Sequence, residues 1–172
     1  MKTAIIYVSQ TGFTKRYAQW LAEEVQGDCM PLAEAEKRDF SAYDAIVFGG
    51  WCMAGTIKKL DWFKNKMVQW GDKKKAVFAV GASPVENPEL EEGLRKIFAG
   101  EEWKDVSSFY CPGGICYERM KPVSKVMMKM FVKMLEKNKS EKEQAMAEML
   151  AKSYDISDRK YIEPVVEYLK GE

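Results

Sequence analysis

The sequence predicts an α/β fold, a doubly wound sheet of five parallel strands with helices on both faces and an added helical segment behind the fifth strand. Three observations carry this expectation. Five short apolar runs alternate with stretches of helical periodicity along the 172 residues, which is the signature of βαβ units. Two of those runs, AIVFGG at Ala45–Gly50 and KAVFAVG at Lys75–Gly81, are almost unbroken in apolar residues, as strands covered on both faces must be. After Gly114 the alternation stops and a Lys- and Met-rich stretch begins. The length suits one domain spanning 1–172, with 119–152 as a helical insertion or extension, and is ample for a core that needs no staples.

Each element follows in order. The first strand is expected over Thr3–Val8. A helix over Thr14–Val25 places Tyr17, Ala18, Leu21, Ala22 and Val25 on one face. Asp28–Leu32 gives a short second strand, and Ala45–Gly50 the third. Ile57–Trp70 repeats the helical spacing through Leu60, Phe63, Met67 and Trp70, with Trp62 off that face. Lys75–Gly81 is the fourth strand. Asn87-Pro88 opens a helix carrying Leu90, Leu94 and Ile97, with proline near the first turn, where its missing N–H does no harm. Val106–Cys111 is the fifth strand. A basic amphipathic helix over Met120–Lys139 follows, with Val123, Val126, Met127, Met130, Phe131, Met134 and Leu135 recurring at three- and four-residue steps and lysines at 121, 125, 129, 133 and 137. The last helix, Asp158–Lys170, carries Tyr161, Ile162, Val165, Val166 and Leu169, with Asp158 or Ser157 as its cap.

Composition narrows the function classes. There is no histidine, which excludes Ser-His-Asp and Cys-His catalysis and any histidine-based metal site. Chemistry on this chain therefore points to a borrowed reactive group, a cofactor. The four cysteines, Cys29, Cys52, Cys111 and Cys116, form no CxxC pair and read as reduced, mostly buried thiols. No apolar run is long enough to span a bilayer, and the chain enters its first strand with no leader, so a cytoplasmic protein is expected. Charge is uneven. Residues Arg119 to Lys142 carry eight basic and two acidic side chains, net +6, against +1 for the whole chain, which leaves −5 for the rest. An acidic core with no recognition motif argues against nucleic acid.

The most informative short stretch is SQTGFT, Ser9-Gln10-Thr11-Gly12-Phe13-Thr14, between the first strand and the first helix. A helix N-terminus offers unpaired N–H groups and a partial positive charge, so this junction attracts an anion. Gly12 permits a tight turn and a close backbone approach, and Ser9, Thr11 and Thr14 add hydroxyls. The loop has neither the Gly-Lys-Ser/Thr ending of a triphosphate loop nor a GxGxxG fingerprint. It suits a single phosphate monoester held by hydroxyls and amides. A ligand-free Ser/Thr cap is the plainer alternative, but one hydroxyl would serve for that.

With these residues in view, SQTGFT resembles the phosphate loop, (S/T)xTGxT, of the flavodoxin-like FMN-binding proteins, with Phe13 where many relatives have asparagine. The resemblance implies a flavodoxin-like sheet of order 2-1-3-4-5 with FMN at the switch point. It implies that Ser9, Gln10, Thr11, Gly12, Phe13 and Thr14 wrap the FMN phosphate. It places a first flavin-ring loop at Gly50, Trp51, Cys52, Met53, Ala54 and Gly55, with Trp51 stacking on the ring or, alternatively, packing at the sheet edge. A second ring loop falls at Gly81, Ala82, Ser83 and Pro84. CPGGICYERM followed by the Lys/Met helix resembles the flavodoxin-domain group that includes menaquinone-dependent protoporphyrinogen oxidases. There Gly113 and Gly114 either approach the flavin or form a simple turn.

Two functional readings follow from the resemblance. One is an FMN-dependent oxidoreductase acting on a small or lipophilic substrate, of protoporphyrinogen or quinone type. The other is a flavodoxin-type electron carrier between redox protein partners, which the basic Lys58, Lys59 and the basic helix disfavour. The helix over 121–139 has its own alternatives. It packs its apolar stripe onto the domain with its lysines in water, or it makes a peripheral contact with an anionic membrane at the inner face or covers a substrate site. Cys52 is the thiol expected nearest the flavin, and spacing alone does not support a Cys111–Cys116 disulfide.

Overall fold

The computed structural model describes residues 1–138 and 140–171. Strands β1 (Thr3–Tyr7), β2 (Asp28–Pro31), β3 (Ala45–Met53), β5 (Lys74–Gly81) and β6 (Val106–Pro112) form a parallel sheet in the order β2-β1-β3-β5-β6, and β4 (Thr56–Ile57) pairs antiparallel with the end of β3. Counting the parallel strands alone, this is the expected 2-1-3-4-5. The order reverses between β1 and β3, where Tyr7 pairs with Gly49, so the crevice of a doubly wound sheet opens beside the loop that leaves β1.

The two faces of the sheet follow from residue parity, since successive side chains in a strand point to opposite sides. Ala4, Ile6, Ile46, Phe48, Val77 and Ala79 face one layer, built from α2 (Leu32–Ala35), α3 (Leu60–Met67) and Trp70 and Trp103, with the Leu94 and Ile97 side chains of α4 (Glu89–Ile97) packed against it. Ile5, Ala45, Val47, Ala76, Phe78 and Val80 face the other, built from α1 (Phe13–Val25) and α7 (Glu163–Lys170) through Tyr17, Leu21, Val165 and Leu169. Both faces are therefore dry, which is why β3 and β5 lack polar alternation. The closing helix starts later than expected: residues Arg159–Ile162 form a 3-10 turn ahead of α7, and it is this turn that Asp158 caps, its carboxylate accepting the Lys160 N–H at 3.0 Å.

Two elements depart from the sequence pattern. Ile57 belongs to β4 and not to a helix. Ala54 and Gly55 both take positive φ, 48° and 76°, the two-residue turn whose twist matches a hairpin, so the chain folds back on β3 before α3 begins at Leu60. The basic segment, in turn, is two helices rather than one. They are α5 (Pro122–Lys137) and α6 (Glu141–Leu150), which pack together over Val132, Leu135, Ala147 and Leu150. Lys139, the last residue of the expected basic helix, lies outside the described residues. A two-stranded ribbon, β7 (Gly114–Ile115) with β8 (Tyr154–Asp155), closes the base of this hairpin.

The apolar stripe read from the sequence does not pack onto the domain. Val123, Val126, Met127, Met130, Phe131 and Met134 are 40–72% exposed. The buried side of α5 is instead Val132 and Leu135, with Met128 partly covered. Of the seven residues of the expected stripe only Leu135 is buried, because α6, which the sequence reading lacked, takes the face opposite the stripe. No helix among the described residues is long and apolar enough to cross a membrane.

Candidate functional site

The loop Ser9–Gly12 leaves β1 at its carboxyl end and runs directly into α1. Gly12 sits at the N-cap with φ 103°, in the left-handed region that other residues adopt only under strain. The Gly12 N–H donates to the Ser9 hydroxyl at 3.2 Å, and the Val8 N–H donates to the Gly49 carbonyl at 2.8 Å, which fixes the loop against β3. Phe13 and Thr14 are buried; Ser9, Gln10, Thr11 and Gly12 are half-buried and reachable. No acidic residue occupies the first turn of α1. The donor set is thus hydroxyls and amides at a positive helix end, free of carboxylate, and it fits a phosphate monoester.

The 50–55 segment lies beside this loop but is more closed than an open ring loop. Gly50, Trp51, Cys52 and Met53 extend β3, and Ala54 and Gly55 form the hairpin turn. Gly50 is required by packing: a Cβ there would lie 2.6 Å from Ile57 and 2.8 Å from the Lys58 carbonyl. The Trp51 carbonyl accepts the Lys58 N–H at 2.9 Å. Trp51 itself is half-buried and, among the described residues, takes part in none of the aromatic pairs. Cys52 is exposed, as is Cys29, so the thiols are not mostly buried as expected; only Cys111 is. Desolvation nevertheless raises the Cys52 thiol to about 11, away from a reactive thiolate.

The second loop, Gly81, Ala82, Ser83 and Pro84, is latched by two tyrosines that the sequence reading did not single out. Tyr110 donates its hydroxyl to the Ser83 carbonyl at 2.7 Å, and Tyr154 donates to the Ala82 carbonyl at 2.6 Å. Burial raises both phenols, Tyr154 to about 12 with a smaller push from Tyr117. A period-two pattern marks Tyr110 as a strand residue but gives no sign that its hydroxyl crosses to a neighbouring loop.

Gly113 and Gly114 form a structural junction whose hydrogen bonds and packing account for both glycines. The Gly113 N–H donates to the Gly81 carbonyl at 2.7 Å, and its carbonyl accepts the Ile156 N–H at 2.9 Å. A Cβ on Gly113 would strike Val80 and Phe13, and one on Gly114, φ 138°, would collide with the Tyr154 carbonyl. Their bareness serves the β7–β8 ribbon. Cys111 is buried, and burial pushes its thiol up to about 12. Cys111 and Cys116 are both free.

Six further hydrogen bonds tie the chain beyond β6 and the end of β6 itself to the first loop and the start of α1. The Tyr17 hydroxyl donates to the Pro112 carbonyl and accepts the Asp158 N–H at 3.2 Å. The Arg16 guanidinium donates to Asp155 and Ser157, each at 2.6 Å. From the root of α5, the Arg119 guanidinium reaches the Thr11 carbonyl at 3.4 Å, and the Lys121 N–H donates to the Gln10 side chain at 3.1 Å. Sequence spacing carries no signal for these, since the partners are more than 90 residues apart.

Taken together, a parallel sheet with an anion cradle at its switch point defines a doubly wound protein of the mononucleotide-binding type. A flavodoxin domain model matches residues 4–142, and the chain belongs to the flavodoxin domain family. FMN is the cofactor that goes with that membership, and the phosphate cradle fits it. Solved structures that resemble the chain include a flavodoxin from the domain Archaea (14% identity, 99% of each chain, TM-score 0.48). Another is the WrbA-like flavodoxin of Agrobacterium tumefaciens (16% identity, 87% of this chain and 95% of that one, TM-score 0.48). A third is a flavoprotein in complex with FMN from Lactobacillus acidophilus NCFM (15% identity, 64% and 91%, TM-score 0.40). No curated protein matches the sequence.

Proposed function

We propose that the chain holds FMN with its phosphate on Ser9–Thr14 and works as an oxidoreductase on a small or lipophilic substrate. The observation that carries the cofactor site is the strand-turn-helix cradle with Gly12 in the left-handed region. When bound, FMN supplies the electron-transfer chemistry. The protein's part is to bind, orient and shield. The Ser9 hydroxyl and the amides after Gly12 receive the phosphate, Trp51 offers an aromatic face to the ring, and the loop Gly81–Pro84, latched by Tyr110 and Tyr154, forms the opposite wall. Cys52, Tyr110 and Tyr154 all have pKa values raised by burial. They stay protonated at neutral pH and none is poised as an acid or base there.

The exposed face of α5 favours a lipophilic substrate over a protein partner. Six large apolar side chains lie bare along one helix, flanked by Lys129, Lys133 and Lys137, and this region is the basic part of an otherwise acidic chain. An isologous pairing of two copies through that face would bring like charges together. An anionic bilayer surface instead satisfies both the lysines and the apolar stripe. On this reading the molecule docks peripherally on anionic lipid. The root of α5 touches the phosphate loop, so this helix starts beside the proposed cofactor site. The finer version, turnover of a protoporphyrinogen with a quinone acceptor, rests on the likeness of CPGGICYERM to that subgroup.

Anaerobic assay of the FMN-loaded protein tests the enzyme reading. Quinone reduction or protoporphyrinogen oxidation above the rate of free FMN, with reduction in a single two-electron step, supports it. Reduction in two well-resolved one-electron steps and no turnover above free FMN supports the carrier instead.

A further inference from the structure

The loop itself holds no lysine or arginine. Of the two basic residues just after it, Arg16 is committed to Asp155 and Ser157, and Lys15 is exposed on α1. Yet a phosphate monoester near neutral pH carries between one and two negative charges. We propose that Arg119, delivered from the root of the α5–α6 hairpin, is the cationic ligand of the FMN phosphate in this chain. The inference rests on the FMN reading above and adds a residue that the loop motif does not contain.

Three observations place it there. The Arg119 Nη1 lies 3.4 Å from the Thr11 carbonyl, and a Cβ on Gly12 would stand 3.2 Å from the same nitrogen. The guanidinium therefore covers the residue whose amide opens the cradle. The Lys121 N–H held by Gln10 fixes the backbone two residues further on to the same loop. Finally, among the described residues no carboxylate pairs with Arg119. Its neighbour Glu118 is turned away, accepting from the Ser153 hydroxyl at 2.8 Å. A guanidinium carries five N–H donors. One goes to Thr11, and the others are available for a planar, two-point grip on phosphate oxygens.

The test is FMN affinity, read by quenching of flavin fluorescence on titrating the apoprotein, for wild type, Arg119→Lys, Arg119→Ala and Arg119→Glu. A phosphate ligand predicts weakening in that order, about tenfold for alanine, the size of one partly screened charge-assisted contact. Wild type should also lose affinity with added salt more steeply than Arg119→Ala. Riboflavin, which lacks the phosphate, should bind wild type and Arg119→Ala alike. Equal FMN affinity across the four proteins overturns the inference and leaves the FMN reading standing. Equal loss in alanine and glutamate, or a parallel loss of riboflavin binding, also overturns it, because packing alone would do that. A wild-type protein that takes up neither flavin overturns the FMN reading and this inference with it.

Discussion

Replacing Gly12 with alanine bears directly on the cradle. The residue sits at φ 103°, ψ −17°, where a side chain costs roughly 1–3 kcal/mol of local strain. The added methyl would also stand 3.2 Å from the Arg119 guanidinium, a contact that a long side chain relieves by shifting slightly. Strain is therefore the larger effect. Without ligand the half-buried loop relaxes and withdraws the Gly12 amide. FMN must then restore the strained form, so the penalty appears in affinity. At about 1.4 kcal/mol per factor of ten, the dissociation constant should rise between roughly fivefold and roughly 150-fold. Fluorescence titration of the apoprotein with FMN reads the change, and chemical denaturation of the apoprotein shows how little of it falls on stability. If Gly12→Ala binds FMN as wild type does and unfolds at the same denaturant concentration, Gly12 is not the strained centre of the site.

Three other outcomes are expected. Changing Lys125, Lys129 and Lys133 together to glutamate should abolish flotation with anionic liposomes and leave FMN binding intact; unchanged flotation would refute the membrane surface. Tyr17→Phe removes a buried hydroxyl that serves both the Pro112 carbonyl and the Asp158 N–H. Leaving those groups unpaired should cost about 1–3 kcal/mol, roughly 2–12 °C in melting temperature for a chain of this size, measured by calorimetry. Burial works to raise the Asp155 pKa, but hydrogen bonds from Ser157 and Arg16 outweigh it and hold the carboxyl below the ordinary range. Its stabilisation is therefore complete above the unfolded value, near pH 4, and is lost as pH falls through the lower folded value. Acid titration of wild type against Asp155→Asn should show that loss in wild type alone.

Much of the architecture was legible in the sequence because it depends on local pattern. Ala45–Gly50 and Lys75–Gly81 read as strands buried on both faces, and they are the sheet's central pair. The strand-turn-helix junction at Ser9–Thr14 was legible because a glycine between a strand pattern and a helix pattern marks a tight turn, and Gly12 takes the left-handed conformation there. What was missed depends on tertiary contacts. The positive φ of Ala54 turned an expected helix start into a hairpin, and nothing about alanine announces that conformation. The stripe on α5 was visible, but periodicity tells only that a face is apolar, not which face a neighbour covers. α6 covers the side of Val132 and Leu135, and the stripe is left bare. At Gly114 the sequence marks a turn but not its neighbour, because the Tyr154 carbonyl packed against it belongs to a strand some 40 residues away. The latches from Tyr110, Tyr154 and Arg119 are long-range and leave no spacing to read.

The central claim is that the cradle Ser9–Thr14 holds FMN. The absorbance spectrum of the protein after reconstitution with FMN and gel filtration tests it most directly, run beside a Thr11→Ala/Thr14→Ala variant. The account predicts flavin bands that travel with the wild-type protein and are lost from the variant. A colourless wild type, or a variant that retains FMN as firmly as wild type, would contradict it.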